Sequence, residues 1–198
     1  MIHIITPCTR PENLNIMRPT VPTACSWVIV LDATQANANI SFDIPIHISD
    51  PANYNSAITL YRSPFTGHAG NPNRNFALDQ MTFDDLDWVY ILDDDNIIHP
   101  SWFNRVIRLQ DERLNMISWG QVWKNGSVRL PPSPNPRVGN IDTSCYMVRG
   151  RLMKHLRFDM DYCADGILAE RAASFGGHLC LDEYLGYYNY LRTPPDRE

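Results

Sequence analysis

The sequence predicts an α/β fold: a mixed, mainly parallel central sheet flanked by helices, with a small antiparallel portion in the second half. Three observations carry this. Short runs apolar on both faces, "IHIIT" (2–6), "SWVIVLD" (26–32), "IPIHIS" (44–49) and "DWVYILD" (87–93), recur through the first half between longer polar or helical stretches, as parallel strands covered by helices require. The second half changes character at "MISWGQVWKNGSVRL" (116–130), where Asn125-Gly126 separates two β-type arms, the pattern of an antiparallel hairpin. Polar and acidic residues stand where the apolar runs stop, at Thr6, Asp32 and Asp93 to Asp95, and open α/β sheets bind ligands beyond the carboxyl ends of their strands.

The connecting elements follow in order. A helix is predicted over 73–81, "NRNFALDQM", and another over 101–114, where Phe103, Val106, Ile107 and Leu114 share one helical face and Pro100 suits the first turn. After the hairpin come a proline-rich loop (131–140), a strand (144–149) and a short helix. A last helix spans 164–177, with Leu168, Ala172 and Phe175 as its apolar stripe and Gly176-Gly177 as its stop. Nothing resembles a repeat or an interdomain linker, so the expectation is one domain over 1–198, with a first half (1–98) that resembles nucleotide-binding sheets and a second half (99–198) that completes the site.

Composition narrows the function. A net charge of -5 argues against a surface built for bare nucleic acid or anionic lipid, both of which need clustered Lys and Arg. Five scattered cysteines without a C-x-x-C pair read as reduced thiols. No apolar run reaches the roughly 18 residues of a membrane span, and the N-terminus lacks the basic and apolar regions of a leader, so a cytoplasmic, unprocessed chain is expected.

The sharpest local feature is "YILDDDNIIHP" (90–100), three carboxylates directly after an apolar strand. Hard divalent cations prefer such oxygens and bind through one or two of them plus substrate phosphates. Asp93 and Asp95, two apart, face one side of an extended backbone, and Asp94 the other. A solvated turn after the strand is the alternative reading.

In the order "ITPCTR", a strand-ending Asp32, "GNPNRNFAL", "VYILDDDN", then "GNIDTSCYMVRGRL" and "RFDMDYCADGILAERAASFGG", the chain resembles the GT-A type glycosyltransferases, in particular family 2-like members. The blocks span nearly the whole chain. The resemblance implies that a D-x-D motif holds a Mn2+ or Mg2+ ion bound to a nucleoside diphosphate sugar. Residue by residue, it implies nucleotide binding by Thr6, Pro7, Arg10, Asp32, Arg74, Asp93 and Asp94, metal ligation by Asp95 with support from Asp93, and a general base at Asp165. The implied reaction moves a sugar from a donor, UDP-linked in most of the family, to an acceptor hydroxyl on a carbohydrate or other molecule, with inversion. Two departures stand out: Ala164 precedes Asp165 where many members have Glu, and no Q-x-x-R-W motif follows, which argues against processive polysaccharide synthesis. Capping of the last helix is the competing role for Asp165. A sugar-phosphate nucleotidyltransferase and a non-catalytic carbohydrate- or nucleotide-binding module are the rival functions. The first is disfavoured by the absence of glycine in "TPCTRPENL".

Overall fold

The computed structural model describes residues 1–38, 40, 58–109 and 111–192, and the strand predicted at 44–49 lies outside them. Four parallel strands form one side of an eight-stranded sheet: β1 (Ile2–Cys8), β2 (Cys25–Leu31), β3 (Ile58–Arg62) and β4 (Trp88–Ile91), in the order β3-β2-β1-β4. The sheet continues through β5 (Met116–Trp123), β6 (Val128–Leu130) and β7 (Tyr146–Arg149) in the order β4-β7-β5-β6, all antiparallel, while β8 (His178–Tyr188) runs parallel to β5. The expected mixed sheet with antiparallel pieces in the second half is thus the observed one. Its helices are α1 (Leu14–Met17), α2 (Asn71–Gln80), α3 (Trp102–Val106), α4 (Gly150–Met153) and α5 (Ala164–Ser174).

Every residue of β1 is buried, and its side chains alternate between two apolar layers. Ile4 joins Trp27, Ile29, Tyr90 and Trp102 on one face, and Ile5 joins Val28, Val30, Ala77 and Leu168 on the other. That two-residue period is the pleat expressed as packing. Trp102 anchors the first layer by stacking on Tyr90, ring centroids 4.8 Å apart.

Two predicted elements need correction, and two observed strands were not predicted. β1 runs two residues past 2–6, which moves the strand end from Thr6 to Cys8. The helix predicted over 101–114 stops at Val106. Beyond it, Asp111 accepts from the Arg113 backbone N–H at 2.9 Å, a local turn that competes with helix. The carbonyls of Asp111, Glu112 and Leu114 instead take guanidinium donors from Arg149 and Arg151. Finally, β3 and β8 had no predicted counterpart. The hairpin appears as expected, closed by Gly126 N–H to the Trp123 carbonyl, with Gly126 at φ 83°.

Candidate functional site

A cavity of about 560 Å³ opens at the carboxyl ends of β1, β2 and β4. Pro7, Arg10, Asp32, Arg74, Asp93, Asp94, Asp95 and Asp165 all line it. Thr6 does not: because β1 continues to Cys8, Thr6 sits mid-strand, fully buried, and its hydroxyl accepts from the Trp27 indole N–H at 2.9 Å. Pro7 touches the cavity through its contact with the turn before α2. Gly70 there has φ 81°, and a Cβ on it would come 3.2 Å from the Pro7 side chain.

On the wall made by β2 and α2, Asp32 opens a short 3-10 turn. It accepts from the Thr34 N–H at 2.9 Å and hydroxyl at 2.8 Å, and from Asn73 Nδ2 at 2.9 Å. Burial works against its charge, yet these bonds from Thr34 and Asn73 hold it below the ordinary carboxylate value. Arg74 is 5% exposed; it donates to Asn71 Oδ1 and Asp93 Oδ1, both at 2.6 Å.

The three consecutive aspartates end in a turn rather than extended backbone, so all three reach the cavity. The expectation that Asp94 faces the other way fails for that reason. Its Oδ2 accepts the backbone N–H groups of Thr9 (2.6 Å) and Arg10 (2.8 Å), and its Oδ1 accepts Arg10 Nε at 3.0 Å. Asp94 therefore fixes the loop after β1 and aims Arg10. Asp93 bridges Arg74 to the Thr143 hydroxyl, which donates to its Oδ2 at 3.1 Å. Asp95, 3% exposed, accepts Arg192 Nε at 2.7 Å and lies 3.4 Å from Arg10. Burial, then Asp93, raises its pKa against the pull of Arg10 and Arg192.

The first turn of α5 also lines the cavity, through Cys163 and Asp165. Cys163, not Asp165, holds the N-cap position and makes no side-chain cap bond. Asp165 Oδ1 accepts the Gly166 N–H at 2.8 Å, and among the described residues its Oδ2 has no hydrogen-bond partner. Burial first, and Asp142 second, push its pKa up to about 6. Asp142 itself accepts from Arg129 NH1 at 3.1 Å, and that guanidinium lies 3.5 Å over the Tyr188 ring.

Sequence reasoning did not find Asp142, Thr143, Arg129, Tyr162 or Arg192, all of which line the cavity. Only Asp142 and Thr143 carried a signal, inside "GNIDTSCY". Among the described residues no group of three or more His, Cys, Asp or Glu side chains is placed to hold a metal ion unaided. The chemistry of the donor set still fits one: Asp95 and Asp93 offer hard oxygens in the cavity, and hard cations commonly complete their shells with phosphate and water.

No family model matches the chain, and no curated protein matches it. Among solved structures it is similar to residues 1–349 of S. aureus TarS, with a TM-score of 0.65 at 17% identity, covering 94% of this chain and 59% of that one. At that identity the likeness is one of fold. None of the described helices is long and apolar enough to cross a membrane.

Proposed function

We propose that the protein transfers a sugar from a nucleoside diphosphate sugar, UDP-linked in the first instance, to an acceptor hydroxyl with inversion. The observation that supports this reading is that one cavity holds carboxylates in two conditions: Asp93, Asp94 and Asp95 paired with arginines, and Asp165 with a single hydrogen bond and a raised pKa.

Asp32, held by Asn73, bonds the nucleoside, while Arg10 and Arg74, held in place by Asp94 and Asp93, face the diphosphate. A divalent cation, Mn2+ or Mg2+, held by Asp95 with Asp93, would offset charge developing on the leaving group. In the same cavity, Asp165 Oδ2 takes the proton of the acceptor hydroxyl. The acceptor oxygen then bonds the anomeric carbon, and the electron pair of the breaking carbon–oxygen bond leaves with the diphosphate. A carboxylate with a pKa of about 6 is mostly ionised at neutral pH and more basic than an ordinary one, as a general base needs.

The test is incubation with Mn2+ and a panel of nucleotide sugars. Slow release of free nucleoside diphosphate from one of them is expected. No release together with no nucleoside diphosphate binding in calorimetry would overturn the reading, and tight binding without release under any acceptor would favour a non-catalytic module.

A further inference from the structure

The charged wall holds one group that its static role does not account for. Arg192 follows β8 in a short segment tied down by backbone: Leu191 N–H donates to the Asp95 carbonyl at 2.7 Å, and Tyr190 N–H to Asn96 Oδ1 at 3.2 Å. A turn from Arg192 N–H to the Asn189 carbonyl, with Asn189 at φ 50°, completes the anchor. None of these bonds uses a carboxylate. The side chain is different. It is half exposed, lines the cavity and is held through Nε to Asp95 Oδ2, and among the described residues its two terminal nitrogens have no hydrogen-bond partner. A fixed backbone carrying a singly tethered guanidinium allows the head to change partner without moving the chain.

Charge shows what partner it would take. Asp93, Asp94 and Asp95 are matched by Arg74, Arg10 and Arg192, three carboxylates against three guanidiniums. The wall is balanced as it stands. A divalent cation arriving alone would have to compete with Arg192 for Asp95 and would overcharge the wall. A cation arriving with a diphosphate brings compensating charge, and the diphosphate oxygens are a matched acceptor for the guanidinium that the cation releases.

Building on the reading above, we propose that Arg192 is an exchangeable counter-ion: it occupies Asp95 in the free protein and passes to the donor's diphosphate when a divalent cation takes that carboxylate. The protein thereby binds cation and diphosphate together and each poorly alone. Arg192 is a donor-binding residue in this account, distinct from Arg10, which Asp94 holds through both Nε and NH2.

Calorimetry with Mn2+ alone, with inorganic pyrophosphate plus Mn2+, and with UDP plus Mn2+ tests this on the wild type, Arg192→Gln and Arg192→Lys. Arg192→Gln should bind Mn2+ alone more tightly than wild type, by about ten-fold, and bind pyrophosphate and UDP in the presence of Mn2+ about ten-fold or more weakly. Arg192→Lys, which keeps the charge, should fall between wild type and Arg192→Gln on both measures. Opposite signs for the two ligands are the signature. Tighter Mn2+ with unchanged pyrophosphate would overturn the exchange and leave Arg192 a simple mask of Asp95. Unchanged Mn2+ with weakened pyrophosphate would also overturn it, leaving an ordinary phosphate contact. A wild type that binds neither pyrophosphate nor UDP with Mn2+ would instead sink the glycosyl-transfer reading and this inference with it. Melting curves of the variants should match wild type closely, because the anchoring bonds are main-chain.

Discussion

Asp94 and Asp165 line the same cavity and are treated in opposite ways. Asp94 accepts two backbone N–H groups, the Thr9 hydroxyl and the Arg10 guanidinium, and ends its strand 2% exposed with its charge fully answered. Asp165 is given one N–H, from Gly166, beside a like charge on Asp142, and its proton affinity rises. A carboxylate whose lone pairs are used holds structure; one short of donors, whose pKa burial and then Asp142 raise, is poised to accept a proton. The difference is made by neighbours, since the side chains are identical.

The largest break in this comparison is Asp165→Asn. Asn keeps the shape, while loss of a general base should slow transfer by roughly 10² to 10⁴-fold. Donor affinity should stay near the wild-type level, because Asp165 pairs with neither Arg10 nor Arg74. Transfer at the wild-type rate, measured once an acceptor is found, would return Asp165 to a structural role. Asp95→Asn comes next: UDP binding in the presence of Mn2+ should weaken by roughly 10- to 100-fold in calorimetry, since a buried, charge-paired carboxylate is lost. Wild-type affinity there would remove Asp95 from donor binding.

Asp94→Ala sharpens the other pole. It strands two backbone donors and a guanidinium, at a cost of about 2–4 kcal/mol, or roughly 5–10 °C in melting temperature for a chain of this length. Donor binding should fall as well, through misplacement of Arg10. A melting curve unchanged from wild type would show that the loop after β1 is held by something else.

Much of this arrangement was legible in the chain because strand ends advertise themselves. Asp32 and Asp93 to Asp95 each follow a fully apolar run, and that contrast survives any uncertainty in register. Thr6 shows where the signal fails: the apolar run stops there, yet Pro7 and Cys8 stay in the strand because β2 pairs alongside them up to Leu31. β8 was invisible for a related reason. Its 11 residues include Asp182 and Glu183, and its pairing with β5 shifts register twice, so no clean two-residue alternation reaches the sequence. β3, half-exposed along most of its length, likewise lacks the apolar contrast. Arg192 enters the cavity only through the segment after β8, and no local pattern could assign it to a site whose aspartates lie about 100 positions away.

The smallest expected effect is read in melting curves and needs no acceptor. Asp165 has a folded-state pKa of about 6, raised by burial and then by Asp142, against about 3.9 for Asp in an unfolded chain. For a group raised on folding, the folded state binds the proton more tightly than the unfolded one. The stability tied to that proton is therefore fully present below about pH 4 and lost as pH rises through about 6. Asn at this position carries no such proton, so the melting temperature of Asp165→Asn relative to wild type should rise between pH 4 and 7 and then level off. Asp142→Asn removes the second cause, and should bring the wild-type loss to lower pH and the acidic limb of the transfer rate with it. A melting difference independent of pH would mean that Asp165 titrates as an ordinary carboxylate, and the contrast with Asp94 would then rest on hydrogen bonds alone.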